Sequence, residues 1–370
     1  MPTLSDRFSD IRPYNDNEIQ PAIRRVINSD EFIDAIISFR FSKIAKFTGF
    51  LLKPLLRRYF LYKWGAICSI DEMQKVVGEY MEHMIDSTTT QFTYSGLENL
   101  EADKNYLFVS NHRDIAMDPA FVNWALFSEN FKTVRVAIGD NLLSKPFASD
   151  LMRMNKSFIV KRGLTAPREM MKAVLQLSDY IFSSLQTDSS IWIAQREGRA
   201  KDGFDKTEPA IIKMFYLNGR KKKIAFNDYI KQLNIVPVAV SYEFDTCDKQ
   251  KAQELFDKAE SGEYKKSEFE DIENIVRGIV GQKGHVHVTF GKTLDDDFED
   301  AEQVAAAIDK QIYQNYYLHP SNFIAAKQNV AEISEADKQA FETRLQNIKP
   351  ALQERVLKMY ANPVKNSIKQ

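Results

Sequence analysis

From Phe92 onward, short β-rich apolar runs recur along the chain at Phe92–Tyr94, Tyr106–Ser110, Val134–Ile138, Ser157–Lys161, Ile191–Ala194, Ile235–Ser241 and His285–Phe290. Between them lie longer segments with apolar residues at helical spacing, such as Pro167–Leu185 and Pro209–Leu217. Strands alternating with helices predict βαβ units, hence an α/β fold with a mixed, mostly parallel sheet flanked by helices, over residues 86–298. Val286, Val288 and Phe290 alternate with more polar neighbours, the pattern of a half-buried edge strand. Beyond it, an acidic patch from Asp295 to Glu302 predicts the start of a helix over Ala301–Tyr316, because carboxylates suit the positive end of the helix dipole. Ser334 with Asp337 three residues on resembles a capping box, and predicts one further helix through Met359 that ends before Pro363. These elements form a C-terminal helical extension over residues 299–370.

The segment before the strands reads differently. Between Ala35 and Ile70 there is no acidic residue, while Arg40, Lys43, Lys46, Lys53, Arg57, Arg58 and Lys63 are basic. Phe39, Phe41, Phe47, Phe50, Tyr59, Phe60, Tyr62 and Trp64 crowd the same stretch, and Pro54 is expected to divide it into two helices. A cation every few positions prevents it from crossing a bilayer, yet it is too apolar for a solvated face. That mixture suits interfacial helices, with apolar groups at the acyl boundary and cations near anionic headgroups. Helices packed on the protein with their cations snorkelling outward would show the same composition. Residues 1–85 are therefore read as an N-terminal helical, membrane-interface segment.

Composition narrows the class. The 370 residues are 44% hydrophobic and 27% charged, a balance that supports a folded core. With 50 Lys+Arg against 51 Asp+Glu, the formal charge of −1 gives no overall pull toward nucleic acid. Two cysteines, Cys68 and Cys247, exclude a disulfide scaffold and a Cys-rich zinc module. The opening MPTLSDRFSD lacks the basic-then-apolar order of a secretory signal, and no run of 18 apolar residues occurs. The expectation is a peripheral, monotopic protein on the cytoplasmic side of a membrane.

The candidate chemistry sits where strands end. The run Tyr106–Ser110 leads into Asn111-His112-Arg113-Asp114-Ile115-Ala116-Met117-Asp118. Imidazole takes a proton near neutral pH, and a carboxylate on its far nitrogen fixes the tautomer and steadies the cation. His112 is thus a candidate general base, with Asp118 as the favoured partner and Asp114 as the second. Ser157–Val160 ends in Lys161-Arg162-Gly163, and Ile191–Ala194 in Gln195-Arg196-Glu197-Gly198-Arg199. In open α/β sheets such exits gather in a crevice where ligands bind, and guanidiniums there suit a phosphate. His285 and His287 on one strand make a poor metal clip without a third ligand, and read as exposed strand side chains. His319 reads as structural. Arg220 to Lys223 reads as a solvated turn.

These blocks together resemble the phospholipid and glycerol acyltransferases with the His–Asp motif. Asn111-His112 through Asp118 resembles the catalytic block, Phe158 through Arg162 the second, Arg196-Glu197-Gly198-Arg199 the third, and Ile235-Val236-Pro237-Val238 the fourth. The resemblance spans roughly Tyr94 to Leu294. It implies the glycerol-phosphate acyltransferase fold, with His112 as base and Asn111, Arg162, Arg196, Glu197, Gly198 and Arg199 as acceptor-binding residues. It also implies acyl-CoA or acyl carrier protein as donor, lysophosphatidate as acceptor, and an anionic membrane surface as partner. Glycerol 3-phosphate or another lysolipid is the nearest alternative acceptor, and a non-catalytic lipid-binding scaffold the alternative of another class. No metal and no resident cofactor are implied. The sequence departs from the family in two places. Five residues, where four are usual, separate His112 from Asp118, and Arg196 stands where proline is common.

Overall fold

The computed structural model describes residues 7–40, 45–187, 189–267, 269–328, 330 and 333–368, without the side chains of 39–40 and 45–51. Compactness groups the chain into two units, Met1–Tyr80 with Arg135–Ala173, and Met81–Val134 with Val174–Gln370.

The smaller unit is mainly helical, with α1 (Asp16–Asn28), α2 (Asp30–Arg40) and α3 (Ala45–Trp64), and it contains the start of α4 (Ile70–Thr88). Asn15 and Glu18 form a reciprocal capping box at the start of α1. Ile19, Ile23, Val26 and Ile27 of α1, Phe32, Ile33 and Ile37 of α2, and Phe60 and Trp64 of α3 make its core. Pro54 lies inside the continuous α3 and does not divide it. Proline in a helix interior costs about 3 kcal/mol. Here Leu52, Leu56, Phe60 and Trp64, four residues apart, pack on the core from both sides of Pro54 and hold the helix through it. Lys53 pairs with Asp34 at 2.9 Å and Arg57 with Asp30 at 2.9 Å. Leu55, Arg58, Tyr59, Leu61, Tyr62 and Lys63 are exposed. Phe41 and Lys43 lie outside the described residues, as do the side chains of Phe39, Arg40, Lys46, Phe47 and Phe50. An inserted stretch, residues 135–173, gives this unit the parallel pair β3 (Arg135–Gly139) and β4 (Ser157–Val160), joined through α6 (Pro146–Met154). No helix among the described residues is long and apolar enough to cross a membrane.

The larger unit holds β1 (Gln91–Ser95), β2 (Leu107–Ser110), β5 (Ile191–Ala194), β6 (Ile235–Tyr242) and β7 (His285–Phe290) in the order β1-β7-β6-β2-β5. Every pairing is parallel except β6 with β7, so the sheet is mixed and mostly parallel. β2 and β6 are buried throughout, because helices cover both faces and leave no solvent side for polar residues. Around the sheet lie α5 (Met117–Ser128), α7 (Pro167–Thr187, of which the part from Val174 belongs here), α8 (Pro209–Lys222), α9 (Phe226–Gln232), α10 (Asp248–Ser261), α11 (Glu270–Val280) and α12 (Ala301–Asn315). Arg220 to Lys222 form the last turn of α8, where cations meet the negative end of the dipole, in place of the expected loop. α11 buries Asn274 and Gly278 and turns Phe269, just before it, with Ile272, Ile279 and Val280, outward.

The tail differs from its prediction. Residues after Ser334 form two helices, α14 (Glu335–Gln346) and α15 (Pro350–Ile368), following the short α13 (Pro320–Ala325). Pro350 is the first residue of α15, where its missing N–H would have no partner within the helix, and it suits the start of a new helix. Pro363 is buried inside α15. The Ser334–Asp337 capping box is present as read.

Candidate active site

The register of the sheet brings the blocks together. Ser110, the last residue of β2, pairs with Ala194 of β5 on one side and Val238 of β6 on the other. All three strands run parallel, so the turns 111–118 and 195–203 leave the same edge as neighbours. Backbone bonds join them: Gln195 N–H donates to Ser110 at 2.8 Å, and Ala200 N–H to the His112 carbonyl at 2.8 Å.

His112 Nδ1 lies 2.9 Å from Asp118 Oδ2. Asp118 is fully buried in the first turn of α5, while the His112 side chain keeps 15% of its exposure. The same Oδ2 accepts the N–H groups of Arg113 at 2.6 Å and Asp114 at 2.9 Å, so the turn wraps its own carboxylate. Oδ1 accepts from the Tyr242 hydroxyl at 2.7 Å. The Trp192 ring stands edge-on to His112 at 6.0 Å between centroids. An ionised carboxylate on Nδ1 selects the tautomer with its proton there and leaves Nε2 as the nitrogen that takes a proton.

Asp114 has another task. Its Oδ1 accepts the N–H groups of Ala116 at 3.0 Å and Met117 at 2.9 Å, at the start of α5. Burial, with the charge of Asp118 beside it, raises its pKa. Gly278 of α11 lies against it, and a Cβ there would stand 2.5 Å from Asp114 Oδ2.

Of the six residues expected to bind the acceptor, Asn111 is fully buried and works within the protein. Its Nδ2 donates to the Val240 carbonyl at 3.0 Å and its Oδ1 accepts the Val240 N–H at 2.8 Å, extending β2 against β6 with a side chain. Glu197 and Gly198 are exposed at the turn, and Gly198 takes a positive φ of 74° with no atom near where a Cβ would be. Arg196 lies 3.8 Å from Glu208. Arg199 is partly buried, with Nη1 enclosed and without a hydrogen-bond partner. Burial pulls its pKa down, but the Cys247 thiol and the Asp114 and Asp245 carboxylates outweigh this and raise it. Arg162 belongs to the smaller unit, exposed just after β4, where its N–H donates to Asp140 at 3.0 Å and its side chain lies over Gly139.

Sequence reasoning missed the groups behind the turn. Arg113 is buried, bonded to Asp205 at 2.6 Å and to the Gly203 carbonyl at 3.2 Å, with its guanidinium 5.3 Å from the Tyr316 ring centre. Lys251 Nζ donates to the Arg113 carbonyl at 2.6 Å and pairs with Asp245. Tyr242 carried a faint signal, a hydroxyl closing an otherwise buried strand. Nothing local ties Asp205 or Lys251 to the turn, because each meets Arg113 from about 90 and 140 residues away in sequence.

The other histidines form a second group. Thr93 Oγ1 is 2.6 Å from both His285 Nε2 and His287 Nδ1, and Ser95 Oγ is 3.0 Å from His287 Nε2. His319 is fully buried against His285, and Tyr317 packs on all three rings. His285 and His287 are therefore half-buried and not the exposed side chains expected. Among the described residues, no group of three or more His, Cys, Asp or Glu is placed to hold a metal ion.

Residues 91–241 match the model of the acyltransferase family. No curated protein matches the sequence. Among solved structures, the 1-acyl-sn-glycerophosphate (LPA) acyltransferase PlsC from Thermotoga maritima aligns with a TM-score of 0.40 and 13% identity, over 80% of this chain and 91% of that one.

Proposed function

We propose, from the match of residues 91–241 to the model of the acyltransferase family, that the protein moves a fatty acyl group from acyl-CoA or acyl carrier protein to the free hydroxyl of lysophosphatidate, making phosphatidate. The observation that carries this reading is the His112–Asp118 pair, 2.9 Å apart at the exit of a parallel strand. His112 Nε2 takes the proton of the acceptor hydroxyl as its oxygen attacks the thioester carbonyl carbon. The tetrahedral intermediate then collapses, the C–S bond breaks, and the proton on Nε2 passes to the departing thiolate. Asp118 holds the ring and stabilises the imidazolium between the two steps. No acyl-enzyme forms, since the acceptor oxygen displaces the sulfur directly at the carbonyl carbon.

Arg199, with its enclosed and unpartnered Nη1, and Arg196 of the same turn are the groups suited to the acceptor phosphate. In the smaller unit, Arg162 is a candidate for the same ligand class on the resemblance of its block alone. The acceptor and product are lipids, so the protein works as a peripheral enzyme at a membrane surface. The outward face of α3, with Leu55, Tyr59, Leu61 and Tyr62 beside Arg58 and Lys63, supports this, and α11 turns a second apolar face outward.

The test is thiol release from acyl-CoA by the purified protein, with lysophosphatidate or glycerol 3-phosphate as acceptor. Release that requires both lysophosphatidate and His112 supports the reading. Release with glycerol 3-phosphate alone changes the acceptor, and silence with acyl carrier protein and other lysolipids as well leaves the scaffold. Replacing Arg58 and Lys63 with Gln should weaken binding to anionic vesicles roughly tenfold or more, at about 1 kcal/mol per cation near such a surface. Unchanged vesicle binding would remove α3 from the membrane contact.

A further inference from the structure

The carboxylate of Asp118 is held from two directions that differ in origin. All the donors to Oδ2 belong to its own turn: His112 Nδ1 at 2.9 Å and the N–H groups of Arg113 at 2.6 Å and Asp114 at 2.9 Å. These bonds fix the carboxylate relative to the turn and would move with it. The bond to Oδ1 comes from Tyr242, at the last residue of β6, 2.7 Å away and 124 residues distant in sequence. Tyr242 is buried, paired across the sheet with Val286 of β7, and Phe121 of α5 stands edge-on to its ring at 5.9 Å. The phenol therefore has a fixed place in the sheet, and ties the His–Asp turn to it.

We propose that Tyr242 is a positioning residue for the acyl transfer, holding the Asp118 carboxylate so that His112 presents Nε2 to the acceptor hydroxyl. The inference rests on the reading of His112 as the base. It assigns a role to a side chain outside the four sequence blocks. Two consequences follow from the geometry. Without the phenol, Oδ1 is a buried carboxylate oxygen with this donor gone, and the carboxylate is held only by the bonds that its own turn makes to Oδ2. The charge that Tyr242 draws toward Oδ1 also returns to Oδ2, facing His112, and favours the imidazolium. Burial, together with the carboxylates of Asp118 and Asp114, keeps the phenol protonated, so it stays a donor throughout the working range.

The test is Tyr242→Phe, which keeps the ring and removes the donor. For acyl transfer, kcat should fall about 10- to 100-fold, the usual cost of losing an orienting partner behind a reactive group, with both KM values near those of the wild type. The acid limb of kcat/KM should move to higher pH. The His112 ring titration, followed by NMR and assigned with His112→Ala, should move the same way and needs no substrate. If the wild-type protein proves inactive, the acyltransfer reading falls, while the titration still decides whether Tyr242 tunes His112. Tyr229→Phe, which removes a buried phenol on α9, should leave both readouts unchanged. Should Tyr242→Phe fail to fold, 3-fluorotyrosine placed at position 242, a stronger donor of nearly the same shape, should lower the His112 titration. Unmoved titrations in the variant that folds, or a kcat within about twofold of wild type beside active controls, would overturn the proposal.

Discussion

The larger unit contains two histidine sites, and what faces each ring separates them. His112 stands at a strand exit with a buried carboxylate on Nδ1 and part of its ring open. His285, His287 and His319 stand on and beside an edge strand, their rings among hydroxyls, a tyrosine ring and one another, while the Glu243 carboxylate accepts the backbone N–H of His285 at 2.8 Å. In the second site burial and the neighbouring rings disfavour the cation, and the Ser241 backbone that favours it at His319 does not outweigh them. Burial lowers the pKa of His285, and with the neighbouring rings brings His287 to about 4 and His319 to about 3. A charged neighbour on the ring and remaining access to solvent suit a histidine to proton transfer, and enclosure of the ring by neutral groups does not.

The sharpest way to break the comparison is to remove the base. His112→Ala should lower acyl transfer by about a thousandfold or more, within the range general bases supply, while the circular dichroism spectrum and vesicle binding stay those of the wild type. Activity within tenfold of wild type would place the chemistry elsewhere. Next in size is the choice between the two carboxylates. Asp118→Asn should cost at least about a hundredfold in kcat, because the amide no longer favours the tautomer with the proton on Nδ1. Asp114→Asn should cost only a few-fold, since an amide oxygen can still accept from Ala116 and Met117 at the start of α5. The reverse order in initial-rate kinetics would make Asp114 the partner of His112.

The smallest effects concern the neutral histidines. Their folded pKa values lie below the unfolded value of about 6.5, so below that pH the unfolded chain binds more protons than the native one. Their contribution to stability is complete above pH 6.5 and is lost as the pH falls toward 4 and 3. For His319 alone, the loss between pH 6.5 and 4 comes to about 3 kcal/mol. Urea unfolding at a series of pH values should show a flatter acid slope in His319→Gln and His287→Gln than in the wild type. Parallel slopes would mean that these rings are charged in the native protein.

Much of this architecture was legible from periodicity. Seven β-rich runs became seven strands with ends shifted by a residue or so, and Ile191–Ala194 and His285–Phe290 match residue for residue. Long apolar runs and turn residues are local signals, and the sheet does not override them. Prolines were read less well. Pro54 and Pro363 sit inside helices because packing on either side outweighs one lost hydrogen bond, and packing has no local signature. In the site, His112, Asp118 and the arginines were named because they sit in the blocks. Asn111 was named for the same reason, yet its amide serves the sheet.

The order of blocks along the chain by itself determined the fold class, the candidate base and the chemistry to expect, because each block is a short strand with its turn and carries its residues wherever it goes. Only the tertiary structure decided that Arg113 is neutralised by Asp205 and that Tyr242 reaches Asp118 from the end of β6. The physical reason is distance along the chain. A hydrogen bond is decided within 3 Å, and partners separated by about a hundred residues are brought that close only by the register of strands and the packing of helices upon them.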